Sequence, residues 1–263
     1  NETKNNNFMY IAAILTGFAL ATKYHGIYWS ISIGALLILS FYLNKFSIKN
    51  SIKHTFGFII VALIVVSPWY IRNFIATGDP IWPYGYEIFN SDFWDQELHD
   101  KYSSWQQGPG ETLWHYFTLI WNVTLNQESW FGGYRIPYLP IQLALIPGFF
   151  LMLNSISKYQ KSFFLGLFIV ILMYYTIWFT NYQQLRYFLP VMSLLLIPCS
   201  YVFWHMLKNK IMKFGAYIMI FTILPFSILF SIFNSVQYFP VVLGIEEEKT
   251  FLNDKVVFYE DIK

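Results

Sequence analysis

The sequence predicts an all-α integral membrane protein, a multi-pass bundle of about six or seven membrane helices with one large extracytoplasmic loop. Three observations predict this class. Hydrophobic residues make up 56% of the chain and charged residues only 12%, against roughly 25% charged residues in a typical soluble domain. Several apolar runs approach the ~20 residues that a helix needs to cross a bilayer. Three short turns between such runs contain lysine and no acidic residue.

The N-terminal half contains two long apolar runs. The first, at 8–43, exceeds one crossing, and a polar break at 22–26 divides it into a shorter piece and a full helix from about residue 27. The second, at 56–71, is predicted to end where Pro68 bends or frays the helix, since proline lacks the N–H that a helix interior needs. We therefore expect two helices on either side of the polar break, followed by a helix whose C-terminal end points outward.

The predicted large outer loop covers about 72–137. It contains interfacial helices, because the segments at 94–105 and 113–125 alternate apolar and polar residues with helical periodicity. Further apolar runs follow the loop, at 138–153, 163–180, 187–207 and 214–233. We therefore divide the chain into a transmembrane region at 1–237 and the start of an extracytoplasmic segment at 238–263.

Charge distribution predicts the orientation. The turns at 44–55, 154–162 and 208–213 carry lysines only, so the positive-inside rule places them in the cytoplasm. The loops between them carry the acidic residues and fall on the opposite side by alternation. We expect the bacterial inner (plasma) membrane, with the large loop and the C-terminal segment extracytoplasmic.

Composition also excludes several functions. A net charge of +2 is too small to indicate a basic surface that binds nucleic acid. Cys199 is the only cysteine, so no intramolecular disulfide or paired-cysteine metal site forms. The acidic segment at 92–100 lacks the glycine and terminal glutamate of a calcium loop; it fits a solvated interfacial helix face or, as the alternative, a hard-cation site. We predict no metal ligand set, while a divalent cation remains the one cofactor that the chemistry leaves open.

Lys23 and His25 lie in the polar break of the first run. A lysine within a membrane segment costs about 2.5–3.5 kcal/mol on insertion scales, so it usually faces a polar cavity or a partner. Alternation of crossings puts this break at the outer end. Two interpretations stay open: Lys23 holds an anionic group such as a lipid phosphate, or it extends to the interface as a membrane anchor.

Two arginines are predicted at the same end. Arg72 follows Pro68 in the outward-pointing helix, and Arg186 begins a later crossing after a very short outer turn. A guanidinium offers a fork of donors that matches a phosphate. Each arginine is also typical of an interfacial anchor on lipid headgroups, and tryptophans of the outer loop fit either an aromatic belt or sugar stacking.

At these residues the chain resembles the C-terminal membrane portion of the GT-C-type glycosyltransferases, in particular the polyprenol-phosphate-sugar-dependent bacterial group related to protein mannosyltransferases and aminoarabinose transferases. The segments that carry the resemblance occur in matching order, at 17–26, 68–73, 77–84, 186–190 and 242–246 with 251–252. Two departures stand out. The family usually has Asn where this chain has Asp79, and its catalytic carboxylate lies in a first outer loop that no part of this chain matches. We therefore expect a piece of a longer protein that lacks the N-terminal helices.

The resemblance implies transfer of a sugar from a polyprenyl-phosphate donor to a glycan, lipid or protein acceptor on the extracytoplasmic face. Lys23, Arg72 and Arg186 would hold the phosphate, with His25 and Tyr84 as neighbours. Asp79 is a weak candidate for contacting the acceptor or orienting Arg72, and the catalytic residue itself stays unassigned.

Three rival functions remain open: a flippase or transporter of lipid-linked sugars, a surface-polysaccharide polymerase or ligase, and a non-catalytic membrane scaffold. A transporter would favour repeated halves with paired broken helices, and the sequence shows one break.

Overall fold

The computed structural model is all-helical in the part of the chain that it describes, which is residues 2–43, 45–92, 94–104, 112–125, 140–181, 183, 185–236 and 238–255. The helices are, in order, α1 (Glu2–Thr22), α2 (Gly26–Leu43), α3 (Ile48–Thr77), α4 (Tyr86–Phe89), α5 (Gln96–Ser104), α6 (Leu113–Leu125), α7 (Pro140–Leu151), α8 (Lys158–Phe179), α9 (Leu185–Lys208), α10 (Lys210–Val236), α11 (Phe239–Val242) and α12 (Glu248–Lys255). The predicted all-α class is confirmed for these residues.

Four helices are long and apolar enough to cross a membrane, namely Gly26–Leu43, Ile48–Thr77, Lys158–Phe179 and Arg186–Lys208. Two shorter apolar helices accompany them, at Asn7–Thr22 and Gln142–Leu151. The apolar surface of α3 is mostly not covered by protein, since only 17% of its most apolar stretch is buried. An apolar helix that protein does not cover is typical of contact with lipid.

Helix α3 ends later than the sequence predicted. It runs through Pro68 to Thr77, so the predicted end near residue 71 is wrong and Arg72 lies inside the helix. Pro68 cannot donate to the carbonyl of Ile64, but the Ser67 hydroxyl donates to it instead at 2.9 Å. The side chain thus satisfies the acceptor that proline leaves free, and the helix continues.

Helices α1 and α3 run parallel and in close contact. Tyr10 packs near Gly57, and further along both helices Gly17 packs against Val65. An added Cβ on Gly17 would lie 2.6 Å from the Val65 Cβ and 2.7 Å from the Ala62 carbonyl oxygen. The helices therefore approach at a distance that only glycine permits.

Helices α2 and α8 run antiparallel. Tyr28 and Trp29 at the start of α2 contact Tyr174 near the end of α8, and Leu36 further along α2 lies against Gly166. The core of this region contains aromatic and branched side chains from α2, α6, α8 and α9, with Trp178 fully buried at its centre. The ends of α1, α3 and α8 thus lie at the same end of the bundle as the start of α2.

The chain divides into two units, Asn1–Val202 and Phe203–Lys263, and helix α9 begins in the first and ends in the second. The second unit contains the end of α9 and helices α10, α11 and α12. Within it, Tyr238 before α11 packs against Phe251 of α12, with ring centroids 5.6 Å apart.

Candidate functional site

A cavity of about 420 Å³ opens where the break between α1 and α2 meets the end of α3. This volume lies in the usual range for small-ligand sites. The described lining residues combine cations, aromatic rings and amide or hydroxyl groups, and none is acidic: Lys23, Tyr24, His25, Trp69, Arg72, Asn73, Ala76, Thr77, Trp82, Pro83 and Tyr84. The structure therefore brings together four of the five predicted binding residues, Lys23, His25, Arg72 and Tyr84.

The break between α1 and α2 positions Lys23 and His25. The chain turns at residues 23–25, where the amide of Gly26 donates to the carbonyl of Lys23 at 2.8 Å. Gly26 is buried, and an added Cβ would lie 2.4 Å from the Ala19 carbonyl oxygen. The next helix can start at this point because glycine allows its backbone to pass directly over the end of α1.

The end of α3 positions Arg72 and the opposite wall. Gly78 has φ of 75°, a left-handed conformation that favours glycine, and its amide donates to the Phe74 carbonyl. The chain then turns through Asp79 and Pro80 to present Trp82, Pro83 and Tyr84 to the cavity. The turn is connected to later sequence, since the Ser91 hydroxyl donates to the Thr77 carbonyl at 2.6 Å.

Tyr24 joins the two walls. Its hydroxyl donates to the carbonyl oxygen of Trp82 and accepts from the Asn73 amide nitrogen, both at 2.7 Å. Its ring also stacks on Tyr70 and meets Tyr84 edge-on, with centroids 6.3 and 5.1 Å apart. Burial raises the pKa of Tyr24, so its hydroxyl keeps the proton that it donates.

The predicted fifth residue, Arg186, lies beside the cavity rather than in its lining. The ring of Tyr187 contacts groups from both regions. It stacks on His25 with ring centroids 3.7 Å apart, and the Lys23 Nζ and the Arg186 Cζ lie 4.3 and 5.0 Å from its centroid. Cations over an aromatic face are held by the quadrupole of the ring. Tyr187 thus brings Lys23 and Arg186 to the same small region.

Burial and two cations affect His25. Partial burial, then the charges of Lys23 and Arg186, lower the pKa of His25 from 6.5 to about 4. Its imidazole is therefore neutral at pH 7, and the fixed positive charge at this end of the bundle belongs to the lysine and the arginines. Arg72 contributes from α3, where its Cζ lies 5.2 Å from the ring of Trp69.

Asp79 stabilises the turn and does not line the cavity. It is fully buried, and its Oδ1 accepts from the amide of Ile81 at 2.8 Å. Its Oδ2 has no hydrogen-bond partner, and an added Cβ on Gly85 would lie 2.4 Å from Oδ1. Among the described residues, no ion pair joins Asp79 to Arg72. The suggestion that Asp79 orients Arg72 is therefore not supported.

The acidic segment shows helix-capping contacts. The Asp95 carboxylate accepts from the amide of Leu98 at 2.7 Å, and Gln96 donates to Asp100 at 2.8 Å. Among the described residues no group of three or more His, Cys, Asp or Glu side chains is close enough to hold a metal ion. The solvated-helix interpretation fits these contacts.

The segments that carry the resemblance contain four further residues of this region, for which we predicted no site role: Tyr24, Trp69, Asn73 and Tyr187. Their proximity in sequence to Lys23, Arg72 or Arg186 was the one available signal. Their contacts depend on how each helix is rotated, which hydropathy does not report.

The chain belongs to the family described as "Domain of unknown function (DUF8201)", whose model matches residues 1–193. The matched region contains the residues that line the cavity, together with Arg186 and Tyr187. No curated protein and no solved structure matches the chain.

Proposed function

We propose that the cavity binds the phosphate of a lipid-linked sugar, and that the chain is the lipid-phosphate-binding part of a GT-C-type glycosyltransferase. One observation supports this above others: Lys23 and Arg72 line one cavity with no acidic residue in its described lining, and Arg186 packs on the same Tyr187 ring that Lys23 contacts. Three cations at one end of an apolar bundle suit an anionic headgroup at the membrane boundary.

The proposed reaction is sugar transfer to an acceptor hydroxyl. The acceptor oxygen forms a bond to the anomeric carbon, the bond from that carbon to the phosphate oxygen breaks, and the phosphate keeps the electron pair. The cations stabilise the charge that develops on the departing phosphate. A carboxylate takes the acceptor proton. The resemblance implies that it lies outside this chain, and this fits the buried Asp79 and a described cavity lining without acidic residues.

The proposed topology has six or seven membrane helices. The turn at 45–47 and the start of α8 lie at the end of the bundle opposite the cavity, as the contacts of Phe41 with His54 and of Leu36 with Gly166 indicate. Under the positive-inside rule the cavity then opens on the extracytoplasmic side of a bacterial inner membrane, next to the large loop.

The test uses the full-length protein, purified and supplied with a polyprenyl-phosphate monosaccharide. Arg72→Ala and Arg186→Ala should each lower transfer about 10- to 100-fold, since a hydrogen bond to a charged group contributes about 1.5–3 kcal/mol. Lys49→Ala, in the first turn of α3 at the opposite end, is the matched control and should retain activity. If both arginine variants transfer sugar normally at normal expression, the phosphate assignment is wrong.

The same assay separates the rival functions. A ligase or polymerase of surface polysaccharide requires a diphosphate-linked chain and leaves the monophosphate donor unchanged. A flippase moves the donor between the leaflets of a vesicle without consuming it. Consumption of the donor with release of polyprenyl phosphate selects the transferase.

A further inference from the structure

A second concave surface lies between α6, α7, α8 and α9 and has a volume of about 800 Å³. Its floor is one stripe of α8, in which Lys161, Phe164, Phe168, Ile171 and Tyr175 recur at helical spacing. At 1.5 Å per residue, the stripe from Lys161 to Tyr175 is about 21 Å long. The groove is thus longer than one half of a ~30 Å hydrocarbon core.

Aromatic rings make the walls of this groove rigid. Phe149 of α7 packs against Phe164 with centroids 4.6 Å apart, and Phe150 stacks on Phe168 at 5.5 Å. Phe149 and Phe164 are buried, whereas Phe150 is 51% exposed. A preformed apolar channel with fixed walls orders a flexible chain at lower entropic cost than an open helix face does.

The two ends of the groove differ. At the far end Tyr175 donates to the carbonyl of Tyr116 in α6, and the Tyr116 hydroxyl lies 2.7 Å from the Thr176 Oγ1, so α6 closes this end. At the other end Lys161 is the one charged side chain in the described lining, and Lys158 precedes it by one turn. No Asp or Glu occurs in the sequence between Glu128 and Glu246.

We infer that this groove binds one acyl chain of an anionic glycerophospholipid, with the phosphate at Lys161 and Lys158. An apolar channel that ends in lysines matches an amphiphile with a negative head. The closed end at Tyr116 favours an acyl chain over a polyprenyl tail, which is longer than the channel. The lysine end of the groove lies at the end of the bundle opposite the cavity, and the groove shares no described lining residue with the cavity. The inference therefore does not depend on the proposed function.

The test is photo-crosslinking in nanodiscs. The full-length protein is placed in phosphatidylcholine discs that contain a minor amount of photoactivatable phosphatidylglycerol, and the labelled peptides are identified by mass spectrometry. Labels should appear on α7 and α8 groove residues. Lys161→Gln should lower labelling about five-fold, the expected loss for one cation near an anionic head. Photoactivatable phosphatidylcholine should label the groove more weakly.

Two tryptophan variants separate groove filling from misfolding. Leu172→Trp fills the channel and should abolish the groove label, whereas Phe163→Trp, an exposed position on the same helix outside the groove, should retain it. If Leu172→Trp does not fold, Leu165→Trp replaces it. Equal labelling by both lipids, or labelling that survives the channel-filling variant, would each overturn the inference.

Discussion

The fully buried Asp79 allows a test that distinguishes a structural carboxyl group from a functional one. In Asp79→Asn the side-chain carbonyl still accepts from the amide of Ile81, and the oxygen without a partner becomes a neutral amide group. We expect the free energy of unfolding to stay within about 1 kcal/mol of wild type. Asp79→Ala removes the acceptor and leaves a backbone N–H unpaired in a partly buried turn, so it should lose about 2 kcal/mol.

Both variants are compared in detergent micelles, with equilibrium unfolding by a denaturing surfactant followed by tryptophan fluorescence. Donor consumption is measured on the same preparations. Wild-type stability together with lost transfer in Asp79→Asn would refute the reasoning, because the carboxyl group would then act chemically. Full stability of Asp79→Ala would show that the contact with Ile81 contributes nothing to the turn.

Two further predictions concern the walls of the cavity. Tyr24→Phe removes a donated and an accepted hydrogen bond at once, so it should lower the free energy of unfolding by about 1–2 kcal/mol and weaken binding of polyprenyl phosphate measured by calorimetry. For His25 the folded-state pKa of about 4 lies below the ordinary 6.5, so the unfolded chain binds more protons between these values. The free energy of unfolding should therefore fall as the pH drops through that window, and His25→Gln should remove this part of the pH dependence.

The controls for these two variants are simple. Tyr42 is 79% exposed near the opposite end of α2, and Tyr42→Phe should change neither stability nor binding. A Tyr24→Phe protein that matches Tyr42→Phe in both measurements would contradict the bridging role. An unchanged pH dependence in His25→Gln would mean that other groups titrate in that window.

Much of the fold could be predicted because hydropathy and helix length are local properties. Helix α6 has the predicted bounds, and the break at 23–25 lies inside the predicted 22–26. The end of α3 was missed because a serine hydroxyl occupies the carbonyl that Pro68 leaves free. That compensation depends on one rotamer, which composition does not encode.

The site could be predicted only at the level of which residues share one end of the bundle. Alternating crossings place Lys23 and Arg72 together, and the structure brings them to one cavity. The contacts of Tyr187 with both Lys23 and Arg186 depend on helix rotation. The burial of Asp79 depends on a turn that packs Gly85 against it. Neither has a signature in a single sequence.

The glycine contact between α1 and α3 has a consequence for ligand size. Gly17 lies about 9 Å along the helix axis from Lys23. Its backbone packs directly against Val65, so this contact sets the spacing between the helices that position Lys23 and Arg72. Under the proposed function, a side chain larger than glycine at this position would move the two helices apart and widen the space open to a headgroup. Discrimination between small and bulky headgroups would then be encoded at a position that no ligand touches.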